Sequence, residues 1–149
     1  MELFLKNQEE VKLYVPANVN NDFESIKPSI ENAQELFIKP VLGQQLYDEL
    51  LELHNGETEP GALHAEIIAK TQKPTAHFAY HLYSPYGQVQ VTDAGFQIVS
   101  NTTHKQAFQW MVDKIDEAFL RDGFVHLEGL LKFLYDNQSD DALAAWKET

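Results

Sequence analysis

The residues with the clearest capacity for chemistry are three histidines in the middle of the chain, His64, His77 and His81. His77 and His81 are four residues apart in a segment of helical periodicity, a spacing that can place two imidazoles on one metal ion. No glutamate follows His77, so the zinc-protease pattern fails and a third ligand would have to be His64 or an acid from elsewhere. Phe78 and Tyr80 surround the pair. These aromatic neighbours favour half-buried histidines in a packing face over a metal site, and no metal is expected.

Carboxylates offer a second possible chemistry. Asp113, Asp116 and Glu117 are clustered in one predicted helix, and paired carboxylates can do acid–base work when their surroundings separate their pKa values. They lie off the apolar stripe of that helix, which predicts a solvated face. The run from Asp136 to Asp141 resembles a calcium loop, but it lacks the glycine at the sixth position and has Lys147 at the twelfth. It is interpreted as a polar turn between helices.

Nucleophile and phosphate motifs are absent from the sequence. There is no cysteine, no Gly-x-Ser-x-Gly elbow, and no glycine-rich loop that opens a helix. The sequence therefore predicts a protein that is not an enzyme, with no catalytic residue and no cofactor.

Helical spacing dominates the segments that would position these side chains. Asn7, Asn21 and Thr103 are predicted to cap helices, each with a Glu or Gln three residues on. Pro74 is expected to break or restart one helix, and Gly123, after Asp122, to end another. The helical segments are Asn7 to Val15, Asn21 to Phe37, Gln44 to Leu53, Ala62 to Tyr83, Thr103 to Phe119 and Val125 to Leu134, followed by a short tail that would dock through Leu143 and Trp146. In the first segment the alternation of Val11, Leu13 and Val15 would equally suit a strand. The predicted core includes Phe37, Leu50, Ile115 and Leu130.

One segment has the alternation of a β-hairpin. Val89 and Val91 alternate with polar residues, a turn follows at Asp93-Ala94-Gly95, and the alternation resumes at Phe96. The predicted fold is therefore mainly α, a small helical bundle in a single domain, 1–149, with one short hairpin from about Gln88 to Ser100 between two helical halves.

Composition narrows the possible partners. The chain has 149 residues, 23 acidic and 11 basic, for a formal charge of −12. Such a surface repels phosphates, so neither specific nucleic-acid binding nor docking on an anionic membrane is expected. The lack of cysteine fits a reducing cytoplasm. No apolar run approaches the roughly 20 residues of a membrane span, and residues 1–6 are too short for a signal peptide.

Three stretches carry a resemblance to a known family. They are Ser25 to Ala33 running on to Ile38-Lys39-Pro40-Val41-Leu42-Gly43 and Leu50; Val89 to Phe96, with Thr-Asp-Ala-Gly at its centre; and Asp122 to Leu134, with Asn137 and Trp146. In order and spacing they resemble a functionally uncharacterised family common in phages and prophages of Bacteroidetes. The first half is also similar to phage head–tail connector, or adaptor, proteins.

The resemblance implies a non-enzymatic virion structural protein, a head-completion subunit that forms a ring. Its implied partners are other copies of itself and phage portal or tail proteins, and an isolated subunit could remain monomeric. It would be made in the cytoplasm of the bacterial host and then enter the virion. The region of His64, His77 and His81 matches no family pattern. The alternative is therefore a small helical ligand- or metal-binding domain that uses these three histidines.

Overall fold

The computed structural model of the protein describes residues 3–14, 23–56, 59–87, 89–92, 95–98 and 109–147. The predicted caps at Asn21 and Thr103 and the turn at residues 93–94 lie outside these ranges. The elements are α1 (Gln8–Lys12), α2 (Phe23–Ala33), a π-helical turn (Gln34–Ile38), α3 (Lys39–Leu42), α4 (Gln44–Asn55), α5 (Ala62–Gly87), β1 (Val89–Thr92), β2 (Gly95–Ile98), α6 (Gln109–Asp136), a 3₁₀ turn (Asp141–Leu143) and α7 (Ala144–Lys147).

The prediction of a mainly α-helical protein is confirmed. Strands β1 and β2 pair antiparallel, with Val89 opposite Ile98 and Thr92 opposite Gly95. The residues that would join the strands and flank them lie largely outside the described ranges, so the hairpin as an architectural unit remains a prediction. In the described part of the chain, no helix is long and apolar enough to cross a membrane.

The segment before α1 is held among the helices by side-chain amides. The backbone N–H of Phe4 donates to Gln34 (2.8 Å), and Gln72 donates to the Phe4 carbonyl (2.9 Å). Asn55 donates to the carbonyl of Leu3 (3.2 Å). Because an extended segment has no helical partners for its backbone, these amides satisfy groups that would otherwise be buried at a cost. The cap predicted at Asn7 is confirmed: its Oδ1 accepts from the N–H of Glu10 at 2.9 Å, and α1 begins at the next residue.

Two prolines lie inside helices that continue through them. Pro28 is an exposed residue of α2, and Pro74 is a buried residue of α5, which runs without a break from Ala62 to Gly87. The prediction that Pro74 breaks or restarts this helix is wrong. Around it, Thr71 donates to the Ile67 carbonyl (2.8 Å) and Thr75 to the Thr71 carbonyl (2.7 Å). The burial of Pro74 and of residues 75–80 holds the helix together where proline removes one backbone donor, and the two back-bonds satisfy threonine hydroxyls that are buried beside it.

Gly123 was also predicted to end a helix, and that prediction is wrong as well. Helix α6 runs without a break from Gln109 to Asp136. A Cβ added at Gly123 would lie 2.8 Å from Cε1 of Phe78 on α5. The glycine therefore lets the two long helices approach closely around a fully buried ring. By contrast, Gly43 does end a helix: with φ at 78° it separates α3 from α4.

The core consists of two clusters of buried side chains that both border Leu127. One centres on Ile26, Ile30 and Phe78 and the other on Leu46, Leu50 and Leu130; all six are at most 1% exposed. Leu50 and Leu130 are thus confirmed as core residues, and Phe37 is partly buried against the first cluster.

Ile115, the fourth predicted core residue, is 53% exposed, so that prediction is wrong. The buried face of α6 follows Phe119, Gly123, Leu127, Leu130 and Leu134. At about 100° per residue, Ile115 lies roughly a quarter turn away from the middle of this face. The tail docks as predicted. Leu143 is fully buried, and the Trp146 indole donates to the Val41 carbonyl at 3.1 Å. Between α6 and the 3₁₀ turn lies the predicted polar turn, whose Asn137 donates to the Phe133 carbonyl (2.9 Å).

Candidate functional site

The most unusual polar contact between helices α5 and α6 joins two imidazoles. His77 is only 3% exposed, and its ring centroid lies 4.9 Å from that of His126. Its Nδ1 donates to the carbonyl of Lys73 at 2.8 Å. Because a carbonyl can only accept, this nitrogen carries the hydrogen, and Nε2 is the ring atom left for other contacts. The edge of the same ring packs on Phe119 at 6.3 Å between centroids.

His126 has an electropositive environment. Burial lowers the pKa of its imidazole below the ordinary value of 6.5, and the nearby charges of Lys73 and His77 lower the pKa further. Asp122 acts in the opposite direction, but the net effect is a decrease. The folded protein therefore disfavours the charged form of His126.

A half-open pocket of about 160 Å³ lies beside this pair of histidines. Helix α5 contributes Lys70 and Lys73, and α6 contributes His126, Gly129 and one apolar wall. The ammonium of Lys70 lies over the ring of Phe133, 5.1 Å from its centroid, which holds this charge near the pocket. The lining residues, completed by Val125 and Leu130, include no carboxylate.

Closer to the other end of the same helix pair, a histidine meets an acid. His81 Nδ1 donates to Asp116 Oδ1 at 2.7 Å, and the two side chains are 23% and 30% exposed. Asp116 is thus a half-buried contact of the helix interface, and the prediction that it belongs to a solvated face is wrong. Asp113 and Glu117 are exposed, as predicted. The difference follows from the helix position, because Asp116 lies on the side that faces α5.

The three histidines singled out from the sequence have three separate environments. His64 pairs with Glu49 of α4 at 3.3 Å, His81 with Asp116, and His77 lies against His126. No group of three or more His, Cys, Asp or Glu side chains able to hold a metal ion occurs among the described residues. A site that uses His64, His77 and His81 together therefore lacks the geometry of a common ligand set.

Sequence reasoning missed the pocket residues Lys70, Lys73 and His126. The sequence does contain a pattern that indicates the two lysines. Lys70 and Lys73 precede His77 at spacings of three and four residues, so all three share one face of a helix. His126 is 49 positions after His77, and no local pattern brings it to that face. Its contact depends on the packing of α6 on α5, which the misinterpreted Gly123 permits.

Comparison with known proteins adds one match. No curated protein and no solved structure matches the chain. Residues 38–149, three quarters of the chain, match a family described as a family of unknown function, DUF6712. The match includes α4, α5 and α6, and hence every residue of the pocket and both histidine contacts between the long helices. The chain belongs to the DUF6712 family.

Proposed function

We propose that the protein is a non-enzymatic structural subunit of a phage or prophage particle. In this proposal it is a head–tail connector, or head-completion, subunit. It assembles into a ring through contacts with copies of itself and with portal or tail proteins. It is made in the cytoplasm of the bacterial host and becomes part of the virion. The sequence resemblance is the reason for proposing a role in a phage particle. A row of apolar side chains at the surface of α6 supports assembly with other proteins.

The observation that carries the proposal is a row of large apolar side chains on the outer side of α6. Phe124, Leu131 and Tyr135 are spaced by seven and four residues, so they share one helix face, and they are 44%, 36% and 56% exposed. Aromatic side chains are enriched at the centres of protein interfaces, and a row of them at the surface is typical of a contact site. A structural adaptor needs such a face and does not need a catalytic cleft.

Ring closure needs two different surfaces, because head-to-tail contacts join unlike faces of neighbouring subunits. We assign the α6 row as one of them. For the other we assign the hairpin between the two helical halves, since the outer edge of a strand pair offers backbone N–H and C=O groups that a neighbour can complete.

Charge supports the same role. A connector must let DNA pass without holding it, and a subunit with a formal charge of −12 repels the phosphate backbone. The duplex would therefore pass through an acidic ring without stalling.

The test uses a bacterial strain that carries the gene in an inducible prophage. Deletion of the gene should give DNA-filled heads without tails, or heads that leak DNA, in electron micrographs of the induced particles. A plasmid copy of the wild type should restore infectious virions. Normal infectious virions from the deletion strain would refute the proposal, as would measurable turnover of a metabolite by the purified protein.

A matched pair of variants tests the α6 row in the same complementation assay. Leu131→Asp places a charge in the row, whereas Lys132→Asp places the same charge on the adjacent exposed residue, which points about 100° away. Both proteins should retain the wild-type circular dichroism spectrum. Only Leu131→Asp should fail to restore virions; equal restoration by both variants would remove the row from the assembly surface.

A further inference from the structure

We propose that the pocket between α5 and α6 binds a small oxyanion of the phosphate type through Lys70, Lys73 and His126. This inference is independent of the proposed virion role. It concerns a binding site in the subunit itself, and it would hold for a connector protein or for any other helical domain of this family.

The lining of the pocket differs in charge from the chain as a whole. Acidic residues outnumber basic ones by 23 to 11 in the chain, yet the pocket is lined by two lysines and a histidine and by no carboxylate. Ordinary surface lysines of an acidic protein lie near carboxylates. The carboxylate of Asp122 acts on His126 from outside the lining, but the lining itself places two ammonium groups in a concave site, which favours a bound anion.

The polar groups of the pocket come from two helices. Lys70 and Lys73 lie three residues apart on α5, and His126 faces them from α6. The buried His77 is hydrogen-bonded to the backbone carbonyl of Lys73 and packs against the His126 ring. Its contacts hold the His126 side of the site in place. Two ammonium groups from α5 and an imidazole from α6 therefore approach the cavity from two helices, as a ligand with several oxygens requires.

The size and charge of the cavity favour a phosphate-type group over a carboxylate. A phosphate group carries close to two negative charges and three acceptor oxygens, whereas a carboxylate carries one charge and two oxygens. A volume of about 160 Å³ has room for one such group and a small organic substituent against Val125 and Leu130. Duplex DNA presents the same chemistry, but it is too large for the pocket and is repelled by the acidic surface.

A bound anion would also favour the charged form of His126, which the folded protein now disfavours because of burial, Lys73 and His77. By linkage, anion binding must raise the pKa of this imidazole. That gives the site a readout that does not depend on knowing its natural ligand.

The experiment is an NMR titration of the imidazole C–H signals of the full chain. The pH is varied in sodium sulfate and in sodium chloride at equal ionic strength, with sulfate as a probe that keeps its two charges throughout. The pKa of His126 should be higher in sulfate, while the C–H signals of His64, which pairs with Glu49 elsewhere, should follow the same curve in both salts. Identical curves for His126 in the two salts would overturn the proposal.

Variants and other ligands then define the site. In Lys70→Gln/Lys73→Gln the sulfate effect on His126 should disappear, and the affinity for inorganic phosphate measured by calorimetry should fall at least about tenfold, since two charged donors are lost. The control Lys132→Gln, an exposed lysine of α6 outside the pocket, should retain both. Acetate should bind more weakly than phosphate, and a short DNA duplex should not move the His126 signals. Equal losses in the control variant, or tighter binding of the duplex than of phosphate, would contradict a pocket for a small anion.

Discussion

The two histidine contacts between α5 and α6 have opposite electrostatic character. His81 meets a carboxylate, Asp116, at 2.7 Å. One helical turn away, His77 meets a second imidazole, with Lys73 nearby. The first contact supplies its own compensating charge, whereas the second concentrates groups that repel one another when charged. Either arrangement would serve packing alone. We therefore assign the first contact to joining the helices and the second to the proposed anion pocket.

The largest expected effect comes from removing the ring that packs between the two contacts. Phe78 is fully buried and stacks on Phe37 with ring centroids 4.0 Å apart. Phe78→Ala should lower the free energy of unfolding by about 3–5 kcal/mol, because the helices cannot fully close over the cavity. Phe124→Ala, which truncates a 44% exposed ring, should cost clearly less in the same urea titration. Similar losses in both variants would mean that Phe78 is not the centre of the helix contact.

A pair of glycines in α6 tests how closely the helices approach. An added Cβ would contact the Phe78 ring at 2.8 Å at Gly123, whereas at Gly129 it would meet nothing within 4 Å. Gly129→Ala should therefore stabilise the protein by about 0.5–1 kcal/mol through helix propensity alone. Gly123→Ala gains the same propensity but overpacks the interface, which costs about 1–3 kcal/mol, so its net effect should be destabilising. Stabilisation by both substitutions in thermal unfolding would contradict the close contact.

These two glycines also illustrate how far the sequence could predict the fold. The cap at Asn7 and the docking of Leu143 and Trp146 follow from local patterns or short apolar motifs, and the structure confirms them. Gly123 was misinterpreted because a glycine required for close approach looks the same in the sequence as one that ends a helix. Pro74 was misinterpreted for a similar reason. The loss of its hydrogen bond is evident locally, but the tertiary packing that offsets the loss is not.

The candidate site was less predictable than the fold. His77 was identified from its spacing, but its partner was sought at His81 and His64, which have carboxylate partners instead. Asp116 was placed on the solvated face because the position of the apolar stripe of α6 was judged from Ile115, which is exposed. An error of a quarter turn in this helix therefore concealed the contact of Asp116 with His81, whereas no local pattern indicated the contact of His126 with His77.

The contact of His81 with Asp116 can be broken without changing the pocket. Asp116→Ala should reduce the free energy of unfolding by about 1 kcal/mol, the net contribution of one hydrogen bond. Glu117→Ala, the adjacent exposed acid, should remain within about 0.5 kcal/mol of the wild type. If the two variants unfold at the same urea concentration, the His81 contact does not contribute to joining the helices.

The smallest effect concerns pH and the other histidine contact. The pKa of His126 is lowered in the folded protein, so below the ordinary value of 6.5 the unfolded chain binds its proton more readily. The contribution of His126 to stability is thus present above pH 6.5 and is lost as the pH falls below it. We therefore compare the free energies of unfolding of His126→Gln and the wild type at several pH values. Between pH 6.5 and 5.5 this difference should favour the variant more than it does at pH 8. A difference that stays constant across this range would contradict the lowered pKa of His126.

The central functional claim is that the subunit forms part of a virus particle. Its most direct test is quantitative mass spectrometry of density-purified, tailed particles induced from a strain that carries the gene in a prophage. The account predicts that the protein is present in a fixed ratio to the portal protein and is cross-linked to it or to a tail protein through residues near the α6 row. Its absence from infectious tailed particles, when it is abundant in the lysate, would contradict the account.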